Sequence, residues 1–191
     1  MLATLNKRQA EIIQATIDLV AENGLTGTTI SQIAKRAHAS PGIIYHYFET
    51  KDDIIHLVYE TITAEYVAVM MAGFPAEAPW QARLKHIWLK TYTYFVENPH
   101  KATFHEQYKH SAYYTEGTER GADALYQPLV DSFIQETIQG NIRNLPFPAL
   151  YTLSIGVALN IAKHQIAGVL EPDEAMLASL AEASCRALAI V

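Results

Sequence analysis

The apolar positions of this chain recur at three- and four-residue spacing almost throughout, and no useful stretch alternates residue by residue, so the pattern predicts an all-α fold. Ile13, Ile17 and Val20 define one face of a first helix over residues 7–23, stopped by Asn23-Gly24. Ile30, Ile33, Ala34 and Ala37 give a second, short helix its stripe, and Ile44 and Phe48 anchor a third. Ile55, Val58, Ile62, Tyr66 and Val69 mark a fourth over residues 51–72, which Gly73, Pro75 and Pro79 end. Leu84, Ile87, Trp88, Thr91 and Phe95 face inward from a helix over residues 80–97, and Pro99 restarts a shorter one through about His110. A helix over residues 118–139 turns Ala122, Leu125, Tyr126, Leu129 and Phe133 inward. Two last helices cover residues 148–169 and 172–190, separated by Gly168 and Pro172.

The polar residues that punctuate the second and third helices are more specific. Thr29 is placed to cap the second helix, with Gln32 three residues on completing a capping box, while Lys35 and Arg36 face outward. Ala37-His38-Ala39 is the turn, where a positive φ is wanted and histidine is one of the few tolerated non-glycine types. Ser40 caps the third helix and Pro41 is fitted to its first position. That helix has little anchoring, yet carries Ile43, Tyr45 and Tyr47 towards solvent, the mark of a partner surface. DNA gives each residue type a reason. The hydroxyls of Thr29, Ser40, Tyr45 and Tyr47, the Lys51 cation and the free N–H groups of both helix starts suit phosphate oxygens. Pro41 and Ile43 suit thymine methyls, Gly42 lies between them, and His46 suits a base edge. The plainer alternative is a helical hairpin inside a core, with Tyr45 and Tyr47 as half-buried packing residues.

The run Thr29-Ile30-Ser31-Gln32-Ile33-Ala34-Lys35-Arg36-Ala37, then Ser40-Pro41-Gly42-Ile43-Ile44-Tyr45-His46-Tyr47-Phe48 and Lys51, closely resembles the helix-turn-helix of TetR-family bacterial transcriptional regulators. The family's Gly-Val in the turn is replaced here by His38-Ala39. The resemblance covers about the first 55 residues and implies a homodimeric, all-helical repressor that a small molecule releases from DNA. It places a DNA-binding domain at residues 1–54 and a helical regulatory and dimerisation domain at 55–191, with the boundary inside the fourth helix. A regulator with a filled core, needing no ligand or using a corepressor, is the alternative.

Charge agrees with that division. The net charge of −6 looks wrong for a nucleic-acid binder, but residues 1–51 hold five basic side chains against four acidic ones, and the remainder holds nine against 16. DNA contact is thereby confined to the N-terminal end, with modest non-specific affinity. A single cysteine, Cys185, excludes an intrachain disulfide framework, and the polar opening lacks a leader pattern, so a cytoplasmic location is expected. Residues 145–162 are uncharged, but Pro146, Pro148 and Asn160 leave no clean membrane span.

From Tyr92 to Tyr114 there are seven Tyr or Phe residues and the histidines His100, His105 and His110. They read as core packing, or as a pocket for a small, largely apolar or aromatic ligand lined by Trp88, Tyr92, Phe95, Phe104, Tyr108 and Phe133 with His105 as polar anchor. A third reading is a metal site on Glu106 and His110, which match no recognised zinc spacing. No nucleophile elbow, phosphate loop or Cys-His arrangement supports an enzyme, and no cofactor is expected. The last two helices carry Leu153, Leu159 and Ile166, then Leu177, Leu180, Ser184, Ala187, Leu188 and Val191, beside Gly156, Ala158 and Ala162. That apolar excess predicts a four-helix bundle between two copies, with Leu153, Leu159, Ile166, Leu177, Leu180 and Leu188 in the interface.

Overall fold

The structure, a computed structural model, describes residues 5–114 and 119–190, with the side chains of all but 119–125 and 128. The expected inward positions Ala122, Leu125 and Val191 lie outside that description. Among the described residues there are ten helices and no strand, only an isolated antiparallel bridge between Ile142 and Ala189. The helices are α1 (Lys7–Gly27), α2 (Ile30–Arg36), α3 (Pro41–Tyr47), α4 (Lys51–Met71), α5 (Trp80–Glu97), α6 (Pro99–Lys109), α7 (Glu119–Ile138), α8 (Phe147–Leu153), α9 (Ile155–Ile166) and α10 (Glu174–Leu188). They fall into two compact units, Met1–Glu65 with Pro99–Ala124, and Tyr66–Asn98 with Leu125–Val191.

In the first unit, α1 starts at an Asn6 cap whose side chain accepts from Gln9 N–H while Gln9 returns the bond to Asn6 N–H. Regular helix stops at Gly24, whose φ of 77° and ψ of 166° break the ladder before a last turn through Gly27. Ile12, Val20, Ile33, Ile44, Ile54, Ile55, Val58, Ile62 and Phe104 have no exposed surface and form one core with the buried faces of α1 to α4 and α6. Each such isoleucine contributes about 1.5 to 3 kcal/mol over an exposed one. Tyr108 of α6 lies flat on Tyr59 of α4, ring centroids 3.9 Å apart, and its hydroxyl meets His56 Nδ1 at 2.8 Å. By length and composition alone α4 is apolar enough to cross a membrane, but Ile54, Ile55, Val58, Ile62, Tyr66 and Met70 are buried within the chain.

In the second unit, α5 packs on α9 and α10. Gly156, Ala158 and Ala162 on α9 are buried small residues that allow close approach. Trp88 is fully buried and donates its indole N–H to Ser184 Oγ at 3.1 Å, and Tyr66 OH pairs with Thr91 Oγ1 at 2.7 Å. Two expectations change here. The helix over residues 148–169 is two helices, interrupted at Ser154 (φ −126°, ψ −91°), whose buried hydroxyl donates to Leu150 O at 2.6 Å. Leu188, expected at a dimer surface, has no exposed area and belongs to the chain's own core.

At the start of α4, the Thr50 hydroxyl and N–H both donate to Asp53 Oδ2, at 2.9 and 2.8 Å, and hold that carboxyl below its usual range. A depressed carboxyl stabilises above its unfolded value and loses this as pH falls through the folded one. Asp53→Ala removes this exposed, solvent-screened capping bond and should lower stability by roughly 0.5 kcal/mol at neutral pH. Thermal melts should show the gap closing once the solution is more acidic than the ordinary carboxylate range.

Candidate nucleic-acid interface

The turn between α2 and α3 is built from local bonds that the sequence specifies. Thr29 Oγ1 accepts from Gln32 N–H at 3.3 Å and Gln32 Oε1 accepts from Thr29 N–H at 2.8 Å, so α2 begins with both parts of its box. Ala39 N–H reaches back to Ala34 O at 2.9 Å, which requires His38 to take a φ of 50°. Ser40 Oγ then accepts from Ile43 N–H at 3.3 Å and Pro41 opens α3. Ile44 and Phe48 are buried, which fixes the roll of this seven-residue helix. Its outer face consequently presents Pro41, Gly42, Ile43, Tyr45 and His46. Tyr45 is 58% exposed and Ile43 38%, whereas Tyr47 is half-buried against the core with its ring edge-on to His46. A Cβ at Gly42 would meet only Ser40 Oγ, at 3.8 Å, so the protein's own packing does not demand glycine there. The position leaves room for another molecule's backbone to approach.

The cations divide into engaged and free. Arg36 makes a bidentate pair with Glu22, at 2.9 and 2.7 Å, which lowers the pKa of that carboxyl and raises that of the guanidinium. Arg8 bonds Ala37 O at 3.2 Å and Glu11 at 2.7 Å. These two arginines tie the end of α2 to both ends of α1. Lys51 Nζ donates to Leu25 O at 2.6 Å, and burial there lowers its pKa. Of the basic residues up to position 51, Lys7 and Lys35 are exposed and have no partner among the described residues.

Lys51 is half of a second device. On the other side of the same residue, Gln107 Oε1 of α6 accepts Leu25 N–H at 3.0 Å, and its amide donates to Val20 O at 3.4 Å. The residue following the Gly24 break is thus gripped at its N–H by α6 and at its carbonyl by α4.

Of the expected pocket residues, Phe104, His105 and Tyr108 belong to the first unit and Trp88, Tyr92, Phe95 and Phe133 to the second. All seven are buried, and Phe133 borders a cleft. Of the expected interface residues, Leu153 and Ile166 are exposed while Leu159, Leu177 and Leu180 are partly so. Among the described residues no group of three or more His, Cys, Asp or Glu side chains is placed to hold a metal ion.

These features can be set beside known proteins. Residues 12–58 match the model for bacterial regulatory proteins of the tetR family, and residues 79–189 match the tetracyclin repressor-like C-terminal domain. The chain belongs to the TetR family. It is 25% identical over 181 residues to an uncharacterized HTH-type transcriptional regulator of Haemophilus influenzae, spanning 93% of this chain and 94% of that one. Over 81 residues it is 36% identical to the HTH-type transcriptional regulator BetI of Paraburkholderia phymatum, a match that spans 42% of this chain and 41% of that one. A TetR family transcription regulator from Marinobacter aquaeolei, solved by crystallography, shares the fold with a TM-score of 0.89 at 22% identity, over 95% of each chain. This TetR-family chain is a DNA-binding transcriptional regulator and not an enzyme.

The Leu25 clamp was missed in sequence. Its partners stand 26 and 82 residues away, and no local pattern announces such a bond. The Asn6–Gln9 box is likewise absent from the sequence reading, although its spacing, the same as that of Thr29–Gln32, is the signal that marks it.

Two substitutions probe this geometry. Gln107→Leu strands the Leu25 N–H and should cost about 1 to 3 kcal/mol in urea denaturation, with faster exchange of the Leu25 amide. His38→Gly relieves the left-handed strain, partly offset by a smaller cost in unfolded-chain entropy, and should raise stability by up to about 1 kcal/mol. A clear loss of stability would show that His38 is held by more than its backbone.

Proposed function

We propose that this chain is a ligand-responsive repressor that binds a pseudo-palindromic operator as a homodimer in the cytoplasm. The observation that carries the reading is the outer face of α3, where Ile43 and Tyr45 are exposed beside an unfilled Gly42 on a helix fixed from behind by Ile44 and Phe48. Inserted in a major groove, that face puts Pro41 and Ile43 against thymine methyls and His46 against a base edge. Tyr45 and Tyr47 hydroxyls, Ser40 and Lys51 hold phosphates. Ser40 Oγ already accepts from the backbone, so it meets phosphate as a donor, and Lys51 keeps further N–H groups beyond the one given to Leu25. Thr29 caps α2 at the same edge and offers the free N–H groups of that helix start to a phosphate.

Residues 1–54 act as the DNA-binding domain and 55–191 as the regulatory and dimerisation domain. The part-exposed leucines of α9 and α10, with Leu153 and Ile166, pair with their equivalents in a second copy as a four-helix bundle. Two copies then place their α3 helices about 34 to 36 Å apart along the duplex. A small apolar ligand in the second domain acts through differential affinity for two arrangements, and a coupling of about 1 to 3 kcal/mol changes operator affinity by roughly 5- to 150-fold. The groove of about 380 Å³ lined by Phe133, Ile134 and Phe147 offers room for such a ligand.

The test is DNA binding to a duplex selected from a randomised pool by the wild-type protein. Tyr45→Ala should raise Kd by about 5- to 30-fold, the equivalent of roughly 1 to 2 kcal/mol for a lost contact, with the fold unchanged by circular dichroism. Unchanged affinity, or a monomer by sedimentation at micromolar concentration, would overturn the assignment.

A further inference from the structure

Within the first unit, the ψ of 166° at Gly24 turns the following N–H, that of Leu25, out of the α1 ladder. Gln107 Oε1 of α6 accepts it at 3.0 Å, and the same side-chain amide donates to Val20 O at 3.4 Å. A Cβ on Gly24 would stand 3.5 Å from that Oε1, so Gln107 lies against the break itself. Thr28, which has no exposed surface, donates its hydroxyl to Gly24 O at 2.8 Å. Gly24 O and Leu25 N–H belong to one planar peptide unit, so Thr28 and Gln107 hold its two sides. The next residue after Thr28 is Thr29, the cap that starts α2. A run of short bonds therefore leads from α6 to the first residue of the helix-turn-helix. Gln107 is itself held in place by its neighbour, since Tyr108 stacks on Tyr59 and its hydroxyl meets His56.

We infer that Gln107 is a positioning residue for sequence-specific DNA recognition, acting through the Gly24–Leu25 peptide and not by contact with DNA. This rests on the assignment of the outer face of α3 to a major groove. Both side-chain bonds of Gln107 end on α1, whereas the residues assigned to DNA lie on or beside α2, α3 and the start of α4. Gln107 also falls in the segment that matches the C-terminal family domain, while Val20 and Leu25 fall in the segment that matches the N-terminal one. Control of the reading geometry thus extends beyond residues 1–54. Orientation matters unequally for two kinds of binding. Attraction to phosphates of arbitrary sequence follows the charges neutralised and falls off slowly with distance, so it tolerates a small rotation of α2 and α3. Bonds to base edges do not, because a hydrogen bond weakens steeply once it is stretched or bent. A loosened Leu25 therefore degrades operator binding and spares random duplex.

Fluorescence anisotropy on the full chain, with the selected duplex and a scrambled duplex of equal length, tests the role. Gln107→Leu changes no charge and should reduce the ratio of the two affinities by about 5- to 30-fold, as a degraded base contact does. Gln107→Glu keeps an acceptor for Leu25 N–H and should recover most of that ratio. Phe104→Leu lowers stability from the same buried helix with the clamp intact, and should leave the ratio unchanged. On the unmodified chain, linkage requires the selected duplex to slow hydrogen exchange of the Leu25 amide, and the scrambled duplex to slow it less. That readout does not depend on any variant folding. A ratio unchanged in Gln107→Leu, equal losses in Gln107→Leu and Phe104→Leu, or Leu25 exchange indifferent to the selected duplex would overturn the positioning role. If Tyr45→Ala leaves operator affinity unchanged while Gln107→Leu lowers the ratio, the assignment of the α3 face fails and the positioning stands. An effect of Tyr45→Ala alone does the reverse.

Discussion

The placement of α2 and α3 hangs on one residue. Leu25 follows the Gly24 break, and its N–H and C=O are both bonded to long side chains from other helices, Gln107 and Lys51. Without that grip, the segment between α1 and α2 would be a glycine-bounded turn with few bonds of its own, free to swing α2 and α3 together. Each bond is worth only about 1 kcal/mol net, but both act on the same residue, so its position is fixed from two directions. The arginine ties between the two ends of α1 and the C-terminal end of α2 complete the arrangement.

Held in that way, α3 can present a surface that would otherwise be a liability. A seven-residue helix is too short to persist alone, and its own cap and proline supply only part of what it needs. The rest comes from Ile44 and Phe48, buried on the inner side. Those two anchors free Ile43 and Tyr45 from any structural duty, and an exposed tyrosine beside an exposed isoleucine on rigid backbone is suited to a partner with both methyl groups and phosphates.

What could be read from sequence divides by distance along the chain. The short helices α2 and α3, the Thr29 and Ser40 caps and the left-handed His38 depend on residues within four positions of one another, and each is legible in the sequence. The Ser154 interruption is also local, but neither proline nor positive-φ glycine marks it. Its basis is a hydroxyl that replaces a lost backbone bond, with Gly156 close under Tyr151 O. The aromatic middle was harder. On paper Tyr92 and Phe95 group with Phe104 and Tyr108 as walls of one pocket, yet α5 and α6 serve different cores. Likewise Arg83 and Glu136, an ion pair between α5 and α7, are 53 residues apart, and each alone looks like an ordinary surface charge.

The engaged cations have a consequence for life on a chromosome. With Arg8 and Arg36 paired to carboxylates, few uncompensated positive charges remain to condense on arbitrary duplex, and the rest of the chain is acidic. Sequence-independent binding scales with the number of phosphates neutralised. Genomic DNA offers a vast excess of decoy sites, so a regulator of this kind leaves a larger share of its molecules unsequestered. A small cellular pool can then keep its target occupied, and the search proceeds more by repeated three-dimensional encounters than by long one-dimensional sliding.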